Sequence, residues 1–411
     1  MGDGALSDAE HTGPNGRRRV VYVTHHLPWP VDSGGRLREA QLIARLADRF
    51  DIDLVAVSKD LDKDRRGIRQ ACALGVRPRL FAATQAEGVS GPHALRHDSA
   101  PARRHLRHRW RRGAGRAAGT EVVHVEGHYL MSLLPRSARR RAILVEHNIE
   151  SALLRQAVHA VPPPRPELSV TSADAARTRI DERQAWLTAR MVVGVTPEDV
   201  SAIAEVVGPA RARLVPNGAD HVLGADERKF RRDPECASQL VFVGNFAYSP
   251  SADAAHELIE RILPAVRALA GPASLALVGS GPPRWLYEAA ARRGGVTVTG
   301  TVADVVPWLR GATVVVAPLR IGGGVKVKVL EALALGKAVV TTGIGAQGLR
   351  HLPPGSLVLA DEPHEYAVAV ARLLTDDSER ERQESRARLA ARRLPTWDSA
   401  AERLAACWSE G

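Results

Sequence analysis

TVVVAPLRIGGGVKVKVLEALALGKAVVTTG, residues 313–343, holds in one stretch a β-branched run, a glycine loop, a helical pattern and a second β-branched run. The flanking runs, TVVVAPL (313–319) and AVVTTG (338–343), are short and almost wholly apolar, as strands buried on both faces of a parallel sheet are. Between them Gly322, Gly323 and Gly324 leave the first strand, and a helix is predicted from Val325 to Leu335, where Gly336 ends it. Its apolar positions 327, 330, 333 and 334 form the expected buried stripe. The stretch therefore reads as a βαβ unit.

The same alternation extends in both directions. In the first half of the chain β-branched runs occur at 19–25, 51–58, 121–127, 142–148, 191–196 and 212–218; in the second half, at 240–245, 274–280, 296–301, 313–319, 338–343 and 357–361. Strands separated by helical patterns give parallel sheets, so two doubly wound α/β sheets are expected. At 411 residues the chain is longer than one hydrophobic core supports. Residues 1–16 read as a disordered tail, 17–222 as a first Rossmann-like domain, 223–235 as a charged, aperiodic linker and 236–385 as a second Rossmann-like domain. Residues 386–411 read as a helical segment that either completes the second domain or crosses back to the first.

With 45% hydrophobic and 25% charged residues, the composition is that of a soluble globular protein. Three scattered cysteines, Cys72, Cys236 and Cys407, offer neither a disulfide framework nor metal-ligand spacing. The N-terminal segment has no apolar h-region, and no run is long and apolar enough to span a membrane. A cytoplasmic protein, soluble or at most peripheral to the membrane, is expected.

The net charge of +11 directs attention to residues 96–116, RHDSAPARRHLRHRWRRGAGR, where Trp110 is the single aromatic. Single-strand binders interleave basic residues with several stacking aromatics, so no nucleic-acid partner is expected. A solvated helix and loop is the favoured reading of this segment, and weak attraction to an anionic membrane or acceptor is the second.

Ligands of open α/β sheets sit beyond the carboxyl ends of the strands. After the first strand, Ser33, Gly34 and Gly35 open a helix whose N–H groups an anion can approach. The 313–343 stretch repeats that chemistry and adds lysine. Only six of the 57 basic residues are lysine, and Lys326, Lys328 and Lys337 fall within twelve positions. The bland reading pairs Lys328 with Glu331 in an exposed i,i+3 contact worth about 0.2–0.5 kcal/mol. The sharper one sets a compact ammonium against phosphate and gives Glu331 hydroxyls to accept from. Together these contacts describe a sugar nucleotide, with diphosphate at the glycines and lysines and ribose at Glu331.

Seven blocks then carry a resemblance: LPWPVDSGGRLR near the start, VEHNIES (145–151), VPNGAD (215–220), FVGNFAYSPSADAA (242–255), ALVGSGP (276–282), VTGTVADV (298–305) and APLRIGGGVKVKVLEALALGKAVVTT (317–342). In kind and order they resemble the retaining, sugar-nucleotide-dependent glycosyltransferases of family four. The resemblance implies the GT-B architecture, two Rossmann-like domains facing across a cleft, the first taking the acceptor and the second the donor. Donor contacts are implied at Gly34, Gly35, Gly244, Asn245, Gly281, Thr301, Val302, Gly323, Gly324, Val325 and Glu331.

Glu331 matches the second glutamate of the family's spaced pair. The first would fall at Gly323 and is missing, which leaves the backbone N–H groups of Gly323 to Val325 to meet the sugar. The arginine and lysine that usually grip the diphosphate are not evident after the VGN strand, and Lys326 and Lys328 are placed to replace them. His128 resembles the histidine set beside the donor sugar, so it joins Lys326 and Lys328 as the catalytic set. His25, His26 and His147 are assigned to the acceptor.

Front-side departure of the diphosphate, its charge stabilised by the lysines and loop amides, is the expected route to a hydroxyl acceptor such as a natural product or cell-surface glycan. No metal or cofactor is expected beside the nucleoside diphosphate sugar, although the DID at 51–53 has the D-x-D form. A sugar-nucleotide epimerase and a non-catalytic sugar or nucleic-acid binder are the alternatives.

Overall fold

The computed structural model describes residues 16–84, 98–113, 121–159, 170–223 and 240–410. These fall into two compact units. The first comprises the chain up to Val31, Gly35–Pro216 and Asp398 onward; the second comprises Asp32–Gly34 and Asn217–Trp397. Most of the segment expected as a linker, from 224 on, lies outside the described residues.

The first unit is built on seven parallel strands: β1 (Arg18–Thr24), β2 (Phe50–Ser58), β3 (Arg77–Ala82), β4 (Val122–Glu126), β5 (Ala142–Glu146), β6 (Met191–Gly194) and β7 (Ala212–Leu214), in the order β3-β2-β1-β4-β5-β6-β7. Strand order reverses between β1 and β4, which pair with Val20 opposite Val122. That reversal opens a crevice at the carboxyl ends of the two strands. Strands β4, β5 and β6 are buried throughout, and they read as largely apolar runs broken only by His124 and by the closing Glu126 and Glu146. Sequence patterning passed over β3, because RPRLFA has no β-branched residue. It forms the sheet edge, where Arg77 pairs with Asp53 across the register.

That pairing also engages the last residue of the DID motif. Asp53 is shared between Arg77 and Arg109, and Asp51 lies buried in β2. Arg109 belongs to the helix Ala100–Gly113, the described part of the basic segment. Ala102 and Leu106 anchor that helix, and Arg104, Arg107 and Arg111 face solvent.

The second unit carries six parallel strands: β8 (Leu240–Val243), β9 (Leu275–Val278), β10 (Val296–Val298), β11 (Val314–Ala317), β12 (Val339–Thr341) and β13 (Val358–Leu359), in the order β10-β9-β8-β11-β12-β13. Its reversal lies between β8 and β11, whose following loops hold Gly244 and Gly322–Gly324. The helix after β11 runs Val327–Ala334, shorter than the sequence predicts. Its buried apolar stripe is Val329, Leu330, Ala332 and Leu333; Leu330 and Leu333 are the expected positions, Val329 and Ala332 are added, and the expected Val327 and Ala334 are half-buried. The loop keeps Val325 and Lys326 out of the helix.

The helix Asp377–Ala391 packs Ala387 and Ala390 into the second core. The last helix, Trp397–Ser409, groups with the first unit from Asp398 on. Within that unit Asp398 pairs with Arg45 and Glu402 with Arg49, and Leu404 and Trp408 are buried. No helix among the described residues is long and apolar enough to cross a membrane.

Candidate active-site residues

In the second unit the loops after β8 and β11 converge. Gly279, at the end of β9, has φ 140°, and a Cβ there would lie 1.9 Å from the Gly244 carbonyl oxygen. Only glycine lets the loops after β9 and β8 approach so closely. Asn245 turns the chain by accepting from the Ala247 amide at 3.1 Å, with Gly281 beside it. Lys328 reaches this place from its helix: a Cβ on Gly244 would lie 3.3 Å from Lys328 Nζ. The ammonium donates to Ser251 Oγ at 3.3 Å and lies 4.3 Å from the centre of the Phe242 ring. No carboxylate among the described residues pairs with it. Burial, reinforced by the charge of Lys326 and opposed by Glu331, pushes the Lys328 ammonium down to about 7. It is a cation short of an anion.

Lys326 is placed differently from its neighbour. Its buried ammonium turns back on the glycine loop and donates to the carbonyls of Gly323 at 2.9 Å and Gly324 at 2.7 Å. It shapes the loop. Arg320, the other cation of this region, is held by Asp253 and Glu257. Val325 is half-buried beside the loop, Val302 packs on the core, and Thr301 is exposed after the edge strand β10. Nothing in the geometry joins Thr301 to the lysine cluster.

Glu331 does not pair with Lys328. Its Oε1 accepts from His221 Nε2 at 2.9 Å, and the Trp397 indole N–H donates to His221 Nδ1 at 3.0 Å. Because Nδ1 must accept, the proton sits on Nε2, which fixes the tautomer and points the histidine at the carboxylate. Trp397 is itself pinned by its amide to Asp220 at 2.7 Å. Glu331 is 6% exposed, and Oε2 stays uncommitted among the described residues. Neither His221 nor Trp397 was signalled by spacing, since they are about 175 residues apart.

In the first unit, the loops after β1, β4 and β5 bring histidines and carboxylates together. Glu126, the last residue of β4, accepts from Tyr22 Oη and from His124 on one oxygen and from His147 on the other, at 2.5, 2.8 and 2.5 Å. Trp408 donates to His124 Nδ1 at 3.1 Å. His147 is thus held by Nε2 while its Nδ1 faces the helix start at Gly35, 3.6 Å from where a Cβ would be. Burial works against the His147 imidazolium, but Glu126 outweighs it and raises the pKa.

Gly34 groups with the second unit, where a Cβ would lie 3.2 Å from Val327. His25 is 3.0 Å from the Tyr129 hydroxyl, and His26 is 3.0 Å from Glu39.

His128 follows Gly127, whose φ of 96° and nearness to the Tyr129 ring exclude a side chain. Its Nδ1 lies 3.3 Å from Glu146, which also accepts from the Trp186 indole at 2.8 Å. Burial would lower this histidine, but the Glu146 charge and hydrogen bond prevail and hold it up at about 9. It is an imidazolium at neutral pH. The carboxylates that set these histidines stand at the ends of VVHVE and AILVE, a signal that was present in the sequence: an acid closing an apolar strand.

Two parallel Rossmann-like α/β units of these strand orders place the protein in the GT-B fold class. Residues 237–376 match the family model described as Glycosyl transferases group 1. Among solved structures, the chain resembles sucrose-phosphate synthase from Thermosynechococcus elongatus at 16% identity and TM-score 0.69, over 96% of this chain and 99% of that one. It resembles Anabaena HepE in complex with UDP and glucose at 16% identity and TM-score 0.68, over 96% and 100%. The α,α-trehalose 6-phosphate synthase of Burkholderia multivorans follows at 12% identity and TM-score 0.61, over 96% and 97%. No curated protein matches the sequence.

Proposed function

We propose that the protein is a glycosyltransferase of the family-four kind, moving a sugar from a nucleoside diphosphate sugar to a hydroxyl acceptor with retention and without a metal in the transfer step. The observation that carries the reading is that the segment matching the group 1 model holds both an ammonium with no carboxylate partner among the described residues and a half-committed carboxylate. Lys328 at Gly244 suits the diphosphate; Glu331, held by His221, suits the ribose hydroxyls through Oε2. Structures of HepE with UDP-glucose, similar in fold, favour a uridine donor.

The leaving diphosphate would be stabilised by Lys328 and by the amides of the glycine loop that Lys326 shapes. His128, as an imidazolium, would donate to the sugar, and His147 would meet the acceptor hydroxyl. A thermal-shift panel of UDP-, GDP-, ADP- and dTDP-sugars tests the donor reading, with stabilisation by one nucleotide class expected. Donor incubated alone should return unchanged sugar, whereas an epimerised product would overturn transfer as the primary activity.

A further inference from the structure

The first unit holds two places where histidine and carboxylate ligand atoms converge within 4.8 Å of one another: His128 with Glu146 and Glu182, and His25 with His26 and Glu39. In the first, the carboxylates are already engaged. Glu146 takes the Trp186 indole, and Glu182 takes the Glu150 amide at 2.8 Å and the Ser151 hydroxyl at 2.6 Å.

The second place is different. Glu39 is 0% exposed and lies beside the Thr24 hydroxyl, but among the described residues neither of its oxygens has a hydrogen bond of ordinary geometry. His26 Nε2 lies 3.0 Å from Glu39 Oε1, yet the geometry makes no hydrogen bond, and Nε2 too is left unsatisfied. A buried carboxylate without a partner is costly and calls for a cause. Two ligand atoms about 3 Å apart with no proton shared between them match an edge of a coordination shell whose bonds are about 2.1 Å.

We propose that His25, His26 and Glu39 form a binding site for a divalent transition-metal ion of the zinc class, tying the exit of β1 to the helix that begins at Gly34. Two imidazoles and one carboxylate are a ligand set such ions accept, with a remaining position for water or a hydroxyl. The nearby cations are countered: Arg36 pairs with Asp64 at 2.7 Å, and Arg38 faces Glu126 as well as Glu39. The Tyr129 hydroxyl braces the His25 ring from outside, as outer-shell partners of ligating histidines do.

The test of the site is metal binding and not activity. Zn²⁺ is titrated calorimetrically into chelator-treated full-length protein, with Co²⁺ as a spectroscopic substitute. One Zn²⁺ per chain is expected, with visible Co²⁺ bands of low coordination number. His26→Ala and Glu39→Gln should each weaken Zn²⁺ binding by at least the ~10–100-fold seen for outer-shell changes, and His351→Ala, at an exposed histidine, should not. Glu39→Gln keeps the side-chain shape, and its unfolding temperature shows whether the fold is intact; it carries the test if His26→Ala does not fold. Absence of stoichiometric binding, or equal affinity in wild type, His26→Ala and Glu39→Gln, would overturn the site.

Discussion

In the first unit Trp408 donates to His124, which donates to Glu126; in the second Trp397 donates to His221, which donates to Glu331. Both tryptophans belong to the last helix, and both indoles fix a histidine tautomer so that its Nε2 proton meets a buried carboxylate. The two relays differ at their ends. Glu126 has Tyr22, His124 and His147 on its two oxygens, whereas Glu331 has His221 on one and nothing committed on the other. A buried carboxylate whose partners are complete holds a fold together; one with an oxygen to spare is prepared to take a ligand.

The contrast is broken most directly by removing each carboxylate. Glu126→Ala leaves two buried donors, Tyr22 and His124, and the half-buried His147 without an acceptor, and a loss of about 3–5 kcal/mol in chemical unfolding is expected. Glu331→Ala should cost only about 1 kcal/mol, the net value of one hydrogen bond. Equal losses would erase the distinction.

His128 adds a pH signature to the first unit. Its folded pKa of about 9 exceeds the ordinary 6.5, so its contribution is complete below about pH 6.5 and is lost as pH rises through 9. Stability should fall over that window by on the order of 3 kcal/mol. His128→Gln should flatten the profile.

The second unit is probed by Lys328→Ala, which should weaken nucleoside diphosphate binding by about 1.5–3 kcal/mol with little effect on unfolding. Because Lys328 is pushed down to about 7, binding near pH 8 should take up close to one proton, read from calorimetry in buffers of different ionisation enthalpy. The smallest effect is expected for His221→Ala. It leaves Glu331 in place but unoriented, raising donor KM about fivefold, near 1 kcal/mol, with kcat nearly unchanged.

How much of this was legible in sequence follows from where the information sits. The βαβ alternation and both glycine loops were readable, because β-branched runs and glycines are local signals. β3 was not, since an arginine-rich edge strand lacks them. Lysine scarcity singled out Lys326 and Lys328 but could not separate them: whether an ammonium turns to its own loop carbonyls or to Gly244 depends on a rotamer. The i,i+3 spacing of Lys328 and Glu331 suggested a pair, yet His221 claims the carboxylate from 110 residues away. Partners brought in by the closing helix, Trp397 and Trp408, leave no periodic trace.

Glu331 is where the account is most exposed. Calorimetric titration of Glu331→Gln with a nucleoside diphosphate and, separately, with inorganic pyrophosphate isolates the ribose contact. Affinity for the nucleotide should fall by about 1–2 kcal/mol, and that for pyrophosphate, which has no ribose, should stay at the wild-type value. Unchanged nucleotide affinity would contradict the ribose role and, with it, the reading of this unit as the donor site.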